Sequence, residues 1–308
     1  ISTNACVEPL DRFMCSQVFA AIVYYQQVPY IMAKHIFLIG AAKSGTTKLA
    51  DMLNAHPEIC LCDPKEPNFF TEKEFHQDKL NSYQSLFPKQ DTEYLLDAST
   101  SYSAGWKKSS KSTAKRLFEY DSKAIIFYMV RNPVKRTWSS YWHSYRTGAE
   151  KRSVKEALSD DKNQHIQASM YQDRISDYLH YFEKNQISII NFEDFIKRPE
   201  IYADYLFTLL NLEKIAFSQN TQDKTVNQAY QWRGYFSFIN MIPLKYVIKV
   251  NLIIKQWLPE NAHKLIKSFL SKPVPLIDSS TTTFLHKKFE TPQRKLHENY
   301  SDLFVKPE

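Results

Sequence analysis

One eight-residue loop constrains this chain more than any other feature. His35–Ile39 (HIFLI) reads as a short apolar strand and runs straight into Gly40-Ala41-Ala42-Lys43-Ser44-Gly45-Thr46-Thr47. A helical pattern follows from about Thr46 to Asn54. Two of the chain's five glycines, Gly40 and Gly45, fall within six positions of this loop, and its remaining residues are small or hydroxylated apart from one lysine. Strand, small-residue loop and helix N-terminus in this order open an α/β unit. They aim free backbone N–H groups and the positive end of the helix dipole at one point, which makes an anion site. The loop is not a Walker A sequence, which needs lysine directly after the second glycine and then Ser or Thr for magnesium. Here Thr46 follows Gly45 and the lysine precedes it, which disfavours a nucleoside-triphosphate hydrolase or kinase. A tight turn with no ligand is the bland alternative.

The rest of the chain continues the alternation of strands and helices that predicts an α/β fold with a parallel sheet. Tyr94–Leu96, Ala124–Val130 (AIIFYMV) and Ile187–Asn191 (ISIIN) read as further strands. Helices are predicted over Ser112–Tyr120, from Asn132-Pro133 to about Tyr145, over roughly Gln167–Lys184 and over Pro199–Leu212, with a charged one closing the region 288–303. Asn132 and Pro133 are a helix-start pair, Asn as N-cap and Pro at the first helical position. Residues 221–275 are irregular and rich in aromatics and lysine. Met32 is a plausible natural start, so residues 1–31 are expected to be an extension preceding a single domain over 32–308.

Composition excludes several classes. With 308 residues, 43% hydrophobic and 24% charged, the chain has the material for a buried core and is neither disordered nor fibrous. Its net charge of +7 is compatible with an anionic ligand but too mild to require nucleic acid. Cys6, Cys15, Cys60 and Cys62 do not form a disulfide framework in a chain this long, and the spacing of the last two suits neither a redox pair nor a zinc knuckle. No apolar run approaches the roughly 20 residues of a membrane span, and residues 1–15 lack a basic leader. The expectation is a cytoplasmic protein with no stable membrane anchor and no metal.

In open parallel sheets ligands bind beyond the carboxyl ends of the strands, so the loop after Val130 is the second place to search. Arg131 stands there beside a helix N-terminus and offers a planar fork suited to phosphate. Ser139 follows two turns into the helix. Taken alone, Arg131 is more readily a surface ion-pair partner.

Together the two loops resemble those of sulfotransferases that use 3′-phosphoadenosine-5′-phosphosulfate, closest to the heparan-sulfate-type and bacterial branch. Gly40-x-x-Lys43-Ser44-Gly45-Thr46-Thr47, followed by Leu49, Leu53, His56, Pro57 and Ile59, is similar to that family's 5′-phosphosulfate loop. Arg131, Asn132, Pro133, Arg136, Ser139 and Tyr141 fit its 3′-phosphate pattern. Lys65-Glu66-Pro67-Asn68-Phe69-Phe70 resembles its KEPHFF segment with Asn for His, and Asp97-Ala98-Ser99-Thr100-Ser101-Tyr102 its DASPSY segment with Thr for Pro. Asn191–Phe195 and Asn227–Ala229 with Arg233 echo later blocks, so the resemblance covers about residues 34–240, with a weaker echo over Arg294–Leu303.

The resemblance implies a P-loop-like parallel sheet flanked by helices, with a C-terminal helical lid at about 221–275. It implies sulfuryl transfer from the phosphosulfate donor to an acceptor, releasing adenosine 3′,5′-bisphosphate. Lys43 is then the electrophilic partner of the leaving phosphate; Ser44, Gly45, Thr46 and Thr47 bind the 5′-phosphate; Arg131 and Ser139 hold the 3′-phosphate; Arg233 is a lid contact; and Glu66 is the base. His56 reads as structural, and His143 as a candidate acceptor contact. Tyr230, Trp232, Tyr235, Phe236 and Phe238 are either lid or core. The expected acceptor is a small molecule presenting a hydroxyl or a nitrogen, a saxitoxin-type alkaloid among the candidates, with Glu66, Asp97 and the late aromatics available to a cation. A glycan acceptor, a P-loop small-molecule kinase and a non-catalytic nucleotide-binding protein are the alternatives. Oligomeric state is not legible.

Overall fold

The computed structural model describes residues 33–71, 75, 77–104, 110–217, 230–232 and 271–308. The chain divides into Ile1–Ala33 and Lys34–Glu308, and the account below concerns the second unit. Its centre is a five-stranded sheet in the order β2-β3-β1-β4-β5, built from β1 (Lys34–Leu38), β2 (Ile59–Leu61), β3 (Tyr94–Asp97), β4 (Ile125–Val130) and β5 (Ile187–Asn191). Every pairing is parallel. At the outer edge, Val305 N–H donates to the Ile189 carbonyl at 2.9 Å, so the C-terminal segment extends the sheet.

Both faces of the sheet are covered, which is why its strands are apolar without alternation. Ile36, Leu38, Phe127 and Met129 share one cluster with Leu49 and Leu53 of the Thr46–Leu53 helix and Leu206 and Phe207 of the Pro199–Leu209 helix. Phe37 and Tyr128, one residue out of phase, turn to the other face and pack on Phe70, Tyr102 and Tyr171. There the Ser110–Tyr120, Tyr171–Leu179 and Ser279–Tyr300 helices close the layer.

The strand expectations hold to within one residue at β1, β3, β4 and β5, but β2 is an addition. It has three residues, too few to show a period. The helix expected over Gln167–Lys184 is broken into Gln164–Gln167, Tyr171–Leu179 and a 3-10 turn at Lys184–Gln186. The break coincides with the His165 carbonyl accepting from the Arg136 and Thr137 side chains at 2.8 and 3.2 Å, a tertiary demand invisible to local periodicity. The last helix begins at Ser279, nine residues before the 288–303 region that the sequence closes with a charged helix, and is capped by Asp278 accepting from Thr281 N–H at 2.8 Å. The Asp278-Ser-Ser-Thr run was the available signal.

A small antiparallel ribbon, β6 (Tyr230–Trp232) with β7 (Ser271–Pro273), adjoins the Pro133–Arg146 helix. Arg233, Tyr235, Phe236 and Phe238, like most of the expected lid, lie outside the described residues. Cys60 and Cys62 are buried and free. No described helix is long and apolar enough to cross a membrane.

Candidate active site

The carboxyl ends of β1, β3 and β4 lie side by side and carry the loops 39–45, 98–103 and 131–132. The first loop is pinned from both sides: Ala41 N–H donates to Met129 O at 2.7 Å, Met129 N–H to Gly40 O at 2.8 Å, and Ser103 N–H to Ile39 O at 3.0 Å. Gly45 has φ +84, and a Cβ placed there would meet the Phe192 ring at 2.7 Å, so only glycine fits. It caps the Thr46–Leu53 helix without any side-chain cap, which leaves the first N–H groups of that helix for a ligand. Thr46 is buried, Thr47 is exposed, and Ser44 is buried against the phenol of Tyr171.

Lys43 sits in the left-handed region, φ +70, half-buried. Its ammonium makes no hydrogen bond to another described residue. Burial, then the positive charges of Arg146, Arg131 and Arg136, push its pKa down, with Glu66 the opposing carboxylate. Lys43 thus stands in the field of three arginines with Glu66 as the opposing carboxylate, a balance of charge that attracts an anion.

Arg131 is the second element of that cluster. Its Nη1 donates to the Lys43 carbonyl at 2.9 Å, its guanidinium lies 4.8 Å from the centre of the Phe192 ring, and its Nε is buried with no described partner. The fork is thus held in place while keeping a donor unused. Asn132 caps the next helix by accepting from Lys135 N–H at 3.1 Å, with Pro133 in its first turn, as the sequence predicts. Ser139 is half-buried on that helix.

Arg136, which the sequence offered only as part of a motif, is fully buried and braces the loops. It reaches Ser169 Oγ at 2.7 Å, His165 O at 2.8 Å and Ala42 O at 3.4 Å. Its bonds are to neutral acceptors, so its charge adds to the field under Lys43. A cavity of about 760 Å³ adjoins Arg131 and Asn132 on the outer side, between Glu193 and the Ser279–Tyr300 helix; the Lys43 loop does not line it.

Glu66 and Lys65 form an ion pair of 3.2 Å, and Lys65 also donates to Thr47 Oγ1 at 3.3 Å. The KEPNFF segment is thereby tied to the first turn of the loop helix. Glu66 Oε2 accepts from Thr100 Oγ1 at 3.1 Å. Both structural partnership and proximity to Lys43 apply to Glu66, so the base and ion-pair readings share one geometry.

Other expectations divide. His56 is structural: buried, with Nδ1 accepting from Glu58 N–H and Nε2 against Glu213 O, both at 3.1 Å. Asp97 is withdrawn as an acceptor contact, because it is wholly buried and accepts from Tyr83 OH at 3.0 Å, Tyr102 OH at 2.6 Å and Ser99 Oγ at 2.6 Å. Burial holds its pKa above the usual carboxylate value, against the pull of those donors. His143 stands near the cations. Desolvation, then the charges of Lys43 and Arg146, push its imidazole down to about 4, and Nδ1 accepts from Arg146 Nη2 at 3.0 Å. Arg146 beside Lys43 was not foreseen; its spacing from Arg131 along the sequence carries no recognisable motif. Among the described residues no cluster of three or more His, Cys, Asp or Glu is placed to bind a metal.

Comparison with known proteins converges on one family. Residues 33–232 match the family model described as a sulfotransferase domain. Mouse heparan sulfate glucosamine 3-O-sulfotransferase 5 is 22% identical over 274 residues, covering 85% of this chain and 70% of that protein. Human carbohydrate sulfotransferase 15 is 24% identical over 251 residues, covering 60% and 45%; the match thus spans about half the length of that relative. A crystal structure of a sulfotransferase from Alicyclobacillus acidocaldarius superposes with a TM-score of 0.51 at 23% identity, covering 70% of this chain and 96% of that one, which supports the fold. With the phosphate-type loop, the helix N-terminus it opens and the Arg131 fork all inside the matched stretch, the chain belongs to the sulfotransferase family.

Proposed function

We propose that this protein transfers a sulfuryl group from 3′-phosphoadenosine-5′-phosphosulfate to an oxygen of a neutral or anionic, sugar-like acceptor. The observation that carries the reading is the convergence of Lys43, Arg131 and the uncapped Thr46–Leu53 helix N-terminus. The donor fits that set: two phosphate-bearing ends meet two cationic positions, and the buried Arg131 Nε offers a donor that lacks a described partner.

In this reading the backbone N–H groups of Gly45, Thr46 and Thr47 and the Thr hydroxyls hold the 5′-phosphate, with Ser44 shaping the loop. Arg131 and Ser139 take the 3′-phosphate, and Arg233, which lies outside the described residues, is the further contact that the family resemblance implies. When bound, the donor supplies the sulfuryl group and its bisphosphate leaving group. The acceptor oxygen forms a bond to sulfur as the sulfur–oxygen bond to the phosphate breaks. The electron pair stays on that phosphate oxygen, where Lys43 meets the growing charge. Glu66 takes the acceptor proton. The loops act by alignment and by preset charge.

The same cations bear on the acceptor. Arg146 and Lys43 flank His143, whose ring is neutral at pH 7. A guanidinium alkaloid would approach like charge, and Asp97 is buried out of its reach. A hydroxyl-bearing or anionic glycan meets no such penalty, and the relatives bearing carbohydrate and heparan sulfate names agree with it. The test is a panel with radiolabelled donor offering N-sulfated heparan, chondroitin, a neutral disaccharide and a guanidinium alkaloid. Label on a saccharide is the expected result. Label confined to the alkaloid would overturn the acceptor class, and phosphate transfer from ATP with magnesium would overturn the reaction.

A further inference from the structure

Two residues of the KEPNFF segment hold backbone that side chains rarely adopt: Glu66 at φ +61 and Asn68 at φ +56. Asparagine tolerates the left-handed region; glutamate does so poorly. Glu66 also precedes Pro67, whose ring drives the preceding residue towards extended backbone. Something outside the segment must therefore hold it.

The holder is the loop after β3. Ser99, Thr100 and Ser101 are consecutive hydroxyls, and each one reaches the segment. Asn68 N–H donates to Ser99 Oγ at 3.1 Å, and Ser99 Oγ in turn donates to Asp97 Oδ1 at 2.6 Å, anchoring the contact in the buried Asp97–Tyr83–Tyr102 cluster. Ser101 Oγ donates to Asn68 Oδ1, and Asn68 Nδ2 donates to the Glu66 carbonyl. Thr100 Oγ1 alone among the three touches the functional carboxylate, at 3.1 Å from Oε2, while Lys65 occupies Oε1 at 3.2 Å. Of the two carboxylate oxygens, one is held by the Lys65 ammonium and the other by a hydroxyl on the loop after β3.

We propose that Thr100 is a positioning residue for this reaction. It fixes the Glu66 carboxylate towards the acceptor, while Asn68, locked by Ser99 and Ser101, fixes the Glu66 backbone. Thr100 and Asn68 are the two positions at which this chain departs from the segments it otherwise resembles. The pair replaces a ring and a histidine with one hydrogen-bonded clamp. The inference rests on Glu66 as the base of the proposed function.

The test compares Thr100→Val, which removes the hydroxyl at constant shape, with Thr100→Ser, which restores it. Turnover is measured with radiolabelled donor and N-sulfated heparan, alone and in a Glu66→Gln background. Thr100→Val should lower kcat by about tenfold to a hundredfold with the donor KM unchanged; Thr100→Ser should recover most of that loss. In the Glu66→Gln background Thr100→Val should change the residual rate by less than about twofold, since no base remains to be aimed. A crystal structure of Thr100→Val, which requires no acceptor, should show the Glu66 carboxylate displaced. A carboxylate left in place, or an unchanged kcat beside an impaired Glu66→Gln, overturns the clamp and leaves the base intact. Full turnover by Glu66→Gln overturns the base itself.

Discussion

Lys43→Ala lowers kcat by roughly two to three orders of magnitude, the loss typical of removing one preset group that meets charge developing in a transition state. Adenosine 3′,5′-bisphosphate binding falls far less, because Arg131 and the helix N-terminus remain. The variant should also fold. Lys43 stands among Arg146, Arg131 and Arg136, which lower its pKa after burial has done so. Deleting one cation relieves that repulsion, so the thermal midpoint is kept or raised. Alanine inherits the same left-handed φ of +70 and adds no new strain. Turnover, bisphosphate affinity and melting temperature measured on one preparation separate the possibilities. An unchanged kcat removes Lys43 from the chemistry, and a collapsed midpoint assigns it to structure.

Glu66→Gln carries an effect at least as large, a fall in kcat of about two to four orders of magnitude, the range for general-base catalysis. Glutamine keeps one acceptor oxygen for Lys65, and its amide N–H can donate to Thr100 Oγ1 where the carboxylate accepted from it, so the segment stays folded while the proton acceptor is lost. Donor KM should hold. Turnover that survives the substitution would return Glu66 to the role of a tether for Lys65, which itself holds Thr47 at 3.3 Å.

The parts of the site legible in the sequence are those that the backbone positions by itself. Lys43, Gly45 and Thr46 follow a strand and open a helix; Arg131 and Asn132 end one strand and cap the next helix. Fixed spacing along one chain segment decides such placements, and the apolar runs of β1, β4 and β5 declare the sheet. What stayed hidden depends on packing between distant segments. Arg136 braces Ala42 across 94 residues, and Thr100 reaches Glu66 across 34. Asp97 reads as a polar residue at a strand end, yet Tyr102 from its own loop and Tyr83 from the preceding helix enclose it. The hydroxyl run Ser99-Thr100-Ser101 was visible, and its meaning was not, since nothing local says which loop it faces.

The most direct test of the central claim, a donor site built on Lys43, Arg131 and an uncapped helix N-terminus, is a thermal-shift titration. Adenosine 3′,5′-bisphosphate and ATP with magnesium are titrated side by side into wild type and Arg131→Ala. The account predicts a rise in melting temperature with the bisphosphate, by about 2.7 kcal/mol of added stability at a hundredfold excess over Kd, and its loss in the variant. Stabilisation by ATP with magnesium alone, unaffected by Arg131→Ala, would contradict it.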